Sequence, residues 1–107
     1  MESLRREDPA SADRYVGLRD ARATALAELR RAEAQYRGAG PELRAVFVRG
    51  LRQAQVTYAE ASLALLDFHD ARDRALMITY QEEIGRITGV LEQRQKTRAE
   101  LEKLRAP

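Results

Sequence analysis

This chain is expected to be all-α: an antiparallel helical hairpin, about residues 9–37 and 41–104, with an overlong second helix. Three observations lead there. Proline occurs only at Pro9, Pro41 and Pro107, each at a place where a helix can begin or end. The composition, 34% charged and 6% aromatic with abundant Ala, Leu, Glu and Arg, suits long helices and coiled coils. Apolar residues recur at heptad spacing on both sides of the single turn phrase "RGAGPE", which spans Arg37 to Glu42.

The first helix starts at "DPAS". Asp8 can accept from free N–H groups at the helix start, and Pro9 fits the first helical position, where a missing N–H costs nothing. Its apolar positions are Tyr15, Leu18, Ala25, Leu29, Ala32 and Tyr36, with Arg22 as the one intruder. Gly38 stands where a left-handed C-cap would end the helix, and Pro41 with Glu42 opens the next. So short a connection makes the helices antiparallel neighbours.

The second helix first carries Leu43, Phe47, Ala54, Tyr58, Ala61, Leu65 and Phe68, a stripe about as long as the first helix. A second stripe follows: Leu63, Leu66, Met77, Tyr80, Ile84, Ile87, Leu91 and Leu101. A turn between them, within "DFHDARDRAL", would give three helices instead. That segment contains no Gly, Pro, Asn or Ser, and its Ala, Arg and Leu favour helix. Asp70 and Arg74 are also spaced as a favourable i,i+4 pair. One continuous helix is therefore expected, roughly 90 Å long at the rise of an α-helix. Gly85 and Gly89 oppose it at about 1 kcal/mol each relative to Ala. Their G-x-x-x-G spacing would either admit a neighbouring helix closely or mark a break. Beyond them, "LEQRQKTRAELEKLRA" reads as a solvated helix end, with Glu92 and Lys96 spaced as a second i,i+4 pair. The whole is one helical domain, 1–107, with 1–8 and 104–107 frayed.

The first helix cannot cover the distal stripe. A second copy running antiparallel is the simplest cover, so a homodimeric bundle is expected, with Leu66, Met77, Tyr80, Ile84, Ile87 and Leu91 in self-association or partner binding. The function this implies is a non-enzymatic interaction module (an adaptor, regulator or assembly factor) whose partners are itself and another protein.

Other chemistries find less in the sequence. The chain has no cysteine, which excludes disulfides, thiol catalysis and thiolate metal sites. No catalytic motif or phosphate-binding loop is present, and a narrow Ala-rich bundle offers no pocket for tuning a carboxylate. Neither catalytic activity nor a cofactor is expected. His69, the only histidine, and Asp73 share a helix face at i,i+4 and form a metal half-site. One helix supplies only two of the three or more protein ligands that zinc takes, and Arg72 and Arg74 beside them disfavour a dication.

The hairpin tip is basic: Arg30, Arg31, Arg37, Arg44, Arg49 and Arg52 against Glu33 and Glu42. Arg30, Arg37, Arg44, Arg49 and Arg52 are candidate anion-binding residues beside a helix N-terminus that itself favours anions. Nucleic acid is thus the alternative ligand class, although arginine outnumbers lysine 17 to 2 throughout the chain. The start "MESLRREDPA" has no apolar core of a secretory signal, and no apolar run reaches the roughly 18 residues of a membrane helix. No membrane insertion and a cytoplasmic location are expected.

The segment "YAEASLALLDFHDARDRALMITYQEEIGRITGV", Tyr58 to Val90, resembles the helical repeat of TolC-type outer-membrane efflux proteins. The resemblance lies in its Ala/Leu heptads, the Tyr before the final turn and the closing Ile-x-x-Gly-Val-like phrase. It covers under a third of the chain, and the alternating strands by which that family crosses a membrane are missing from it. It implies a coiled-coil fragment of that type.

Overall fold

The computed structural model describes residues 8–106 as two helices, α1 (Pro9–Gly38) and α2 (Pro41–Arg105). The fold is all-α, and the helices run for 30 and 65 residues. The expected second helix is present without a break: the "DFHDARDRAL" segment, Gly85 and Gly89 are all helical. Of the ends expected to fray, residues 1–7 and 107 lie outside the described residues. Asp8 serves as a cap, and α2 holds its last turn through Ala106 N–H donating to Glu102 C=O at 3.1 Å.

The start of α1 follows from "DPAS". Asp8 has extended backbone, and its carboxylate accepts from Ser11 N–H at 3.3 Å and from the Ser11 hydroxyl. The Ser11 hydroxyl first, and its N–H second, hold the Asp8 pKa below the ordinary 3.8. A carboxylate with a lowered folded-state pKa contributes fully above its unfolded value and loses that contribution as pH falls through the folded value. Asp8→Ala should therefore lower the melting temperature near neutral pH and lower it less at acid pH, as protonation removes the charge from the folded form. Thermal melts of both proteins at the two pH values check this; an equal loss at both would mean the charge plays no part.

The stop differs from the Gly38 expectation. Gly38 is the last residue of α1, no described glycine has positive φ, and Ala39 leaves the helix in extended backbone at φ −83° and ψ 144°. Gly40 precedes a proline, which disfavours helical backbone there, so the chain leaves α1 through extended Ala39 and turns at Gly40 into α2. Ala39 N–H donates to Tyr36 C=O at 3.3 Å, while Gly40 C=O accepts from Leu43 and Arg44 N–H at 3.1 and 3.0 Å, opening α2.

The chain divides into two units, 1–70 and 71–107. In the first, α1 packs antiparallel against the 41–70 stretch of α2. Tyr36 lies beside Arg44, Arg22 beside Tyr58, and Tyr15 beside Phe68 and His69. Partner numbers thus rise on α2 as they fall on α1. Small residues set the interface: Ala12, Ala25 and Ala39 are buried, and among the described residues no large side chain is fully buried. Alanine at the contact lets two helix backbones approach towards the short end of the usual 8–10 Å spacing. Tyr15, Leu29, Phe47, Leu65 and Phe68 are half-buried along the same seam.

Arg22, the intruder in the heptads, is accommodated by its partner. Its Nη2 donates to Tyr58 Oη at 2.9 Å, and its guanidinium lies 5.4 Å from the Tyr58 ring centroid. The charge gains a hydrogen bond and a π face while its stem covers apolar surface.

The second unit is the 71–105 part of α2, and from Met77 to Ala106 every residue is exposed. The two i,i+4 ion pairs read from the sequence do not form. Among the described residues Asp70 and Arg74 make no ion pair, nor do Glu92 and Lys96. Two i,i+3 pairs do form on α2 among the described residues: Glu83 with Arg86, and Glu102 with Arg105. Exposed ion pairs differ by tenths of a kcal/mol, so spacing alone does not decide between them.

Candidate functional site

The site is an apolar stripe on α2 that no described residue covers. Within the second unit Met77, Tyr80, Ile84, Ile87 and Leu91 follow each other at three- and four-residue steps. Their exposures run from 43% at Ile87 to 62% at Tyr80 and Ile84. At about 100° per residue these five fall within a band narrower than a third of the helix circumference. Leu66, assigned to the same stripe, is likewise exposed in the first unit. A monomer normally shows large apolar residues singly; a contiguous row of them marks an interaction surface.

The sequence already explains why the row exists. Heptad spacing on a helix produces a stripe that faces a partner helix. The positions of Leu65 and Phe68 belong to one such stripe, which α1 half-covers. Ile84 and Ile87 belong to the second unit, in the row that no described residue covers. Gly85 and Gly89 lie about 140° from the Ile84 face, with open space where each Cβ would be. The glycine pair therefore does not line the apolar stripe.

Two polar features extend the row. Asp73 stands one helical turn before Met77, and Arg94 and Arg98 stand one and two turns beyond Leu91. Reading "LEQRQKTRAELEKLRA" only as a solvated end missed the two arginines. The signal for them was available, since the three- and four-residue steps continue through 94 and 98 to Leu101. The groove lined by Val90, Arg94, Thr97, Arg98 and Leu101 is an open hollow on this one helix, the kind of hole that receives a side chain from a facing helix.

The other candidate residues are placed differently. His69 belongs to an aromatic cluster in the hairpin, its ring 5.4 Å from Tyr15 and 5.7 Å from Phe68. Among the described residues no three His, Asp or Glu side chains gather where they could hold a metal ion. At the tip, Arg44 Nε donates to Ala39 C=O at 3.1 Å, and its guanidinium lies 5.7 Å from the Tyr36 ring centroid. Arg37 Nε donates to Glu33 C=O at 3.4 Å. Arg44 thereby satisfies a carbonyl of the turn that follows α1. Arg30, Arg49 and Arg52 are exposed and make no hydrogen bond or ion pair among the described residues. The structure thus brings part of the candidate anion set into the turn itself.

No helix is long and apolar enough to cross a membrane among the described residues. No family model, curated protein or solved structure matches this chain, so the likeness of residues 58–90 to TolC-type repeats rests on those residues alone.

Proposed function

We propose that this chain is a non-enzymatic α-helical interaction module, an adaptor, regulator or assembly factor of the cytoplasm, that associates through the distal face of α2. One observation carries the reading: Met77, Tyr80, Ile84, Ile87 and Leu91 form a heptad-spaced row in which every side chain is exposed. Each such side chain contributes about 1.5–3 kcal/mol when fully buried, and nothing else among the described residues recovers it. Among the described residues of the hairpin the buried ones are alanines, a small core that makes association the natural completion of the fold.

Absolute mass by light scattering during size exclusion, over a hundredfold concentration range, tests this. A mass that rises to a multiple of 12.1 kDa with concentration is expected. A mass that stays monomeric throughout would remove the reading that the face is satisfied by association of this chain.

A further inference from the structure

We infer that the distal face pairs with a second copy of itself in antiparallel orientation, Asp73 of each chain lying opposite Arg98 of the other. The inference deepens the proposed function and rests on it. Along the face the order is Asp73, Met77, Tyr80, Ile84, Ile87, Leu91, Arg94, Arg98, an apolar centre with an acidic end and a basic end. Turning a second copy end for end about a two-fold axis between Ile84 and Ile87 puts each Ile84 against the other copy's Ile87. Tyr80 then meets Leu91, the stem of Arg94 lies along Met77, and Arg98 reaches Asp73. A parallel, in-register pair would instead stack Asp73 on Asp73, Arg94 on Arg94 and Arg98 on Arg98, and like charges so placed repel.

The remaining charges near the face do not compete. Glu83, on its flank, is held by Arg86 three residues on, and Glu102 by Arg105. Gln81, Thr88 and Gln95 occupy one flank and Val90 and Thr97 the other, so the flanks carry little charge of their own. Arg72 and Arg74 lie about 100° to either side of Asp73. Asp73, Arg94 and Arg98 are exposed and form no ion pair or hydrogen bond among the described residues. They are left to set the polarity of the pairing. Opposite charges at the two ends of a repeating apolar row fix register and orientation, because the row by itself would tolerate slips of one heptad.

The absence of cysteine makes the test direct. Asp73→Cys and Arg98→Cys chains, purified separately, are mixed in equal amounts and oxidised, and the products are resolved by mass spectrometry. Antiparallel pairing predicts that the mixed disulfide dominates. It also places position 73 of one chain roughly 37 Å along the helix from position 73 of the other, far beyond the ~7 Å Cα separation a disulfide spans. Homotypic disulfides, or a statistical mixture of all three products, would overturn the orientation while leaving self-association intact; a native chain monomeric by light scattering would overturn both. Charge reversal gives a second readout that needs no cysteine. Asp73→Arg should weaken self-association at least tenfold, and Asp73→Arg combined with Arg98→Asp should restore it. Neither variant would move a parallel pair, where like charges merely exchange sign.

Discussion

Ile84→Asp is expected to dissociate the assembly, raising its Kd by roughly a thousandfold while leaving the hairpin folded. Ile84 sits at the middle of the distal row and, in a self-paired face, is contributed by both chains. Losing about 2 kcal/mol of apolar burial from each chain gives about 4 kcal/mol per pair, which corresponds to nearly three decades in Kd. The carboxylate adds a desolvation penalty that the apolar surroundings cannot offset. Light scattering and sedimentation read the change directly, and far-UV circular dichroism shows whether helix is retained. Ile78→Asp is the matched control. Ile78 is also large, apolar and more than half exposed, but it lies about 140° from the Ile84 face. It should change mass and Kd little. Equal loss in both variants would mean that general hydrophobicity, rather than the row, drives association.

Phe68→Ala should destabilise the hairpin by about 2 kcal/mol. A fully buried Phe loses about 3–5 kcal/mol on truncation to Ala; Phe68 is half-buried, which takes that figure to roughly half. Its ring also packs against Tyr15 at 6.2 Å and His69 at 5.7 Å, and aromatic pairs contribute about 0.5–1.5 kcal/mol beyond area. The expected drop in melting temperature is about 10 °C for a unit of this size. A shift under about 2 °C would show that the three-ring cluster does not hold α1 against α2. His69→Leu, which keeps bulk without the ring nitrogens, should lose less than Phe68→Ala and separates packing from any polar role of the histidine.

Much of the architecture was legible in the residues themselves. Proline placement and "RGAGPE" located the turn, because proline and its preceding residue restrict backbone whatever the tertiary context. The lack of any breaker in "DFHDARDRAL" foretold a continuous α2. Details that depend on register were not legible. That His69 would pack against Tyr15 follows from where α1 lies against α2, which no local spacing specifies; the i,i+4 relation to Asp73 offered only an incomplete half-site. Gly38 looked like a left-handed cap because glycine commonly serves as one; the Gly40–Pro41 restriction favoured an extended exit instead. Arg22 was an intruder until Tyr58 stood across from it. The distal row was legible as a heptad, whereas which glutamates beside it pair with arginines of their own depends on side-chain conformation and was not.

The two glycines of the distal helix have an evolutionary consequence. With open space where a methyl group would stand at both, alanine would fit at Gly85 and Gly89 without displacing anything. Each replacement would add about 1 kcal/mol of helix propensity. The chain therefore stands roughly 2 kcal/mol below a stability that two added methyl groups would reach, in keeping with proteins that selection holds above a threshold rather than at an optimum. A thermostable descendant of this helix would acquire those alanines early, on a surface away from the apolar row.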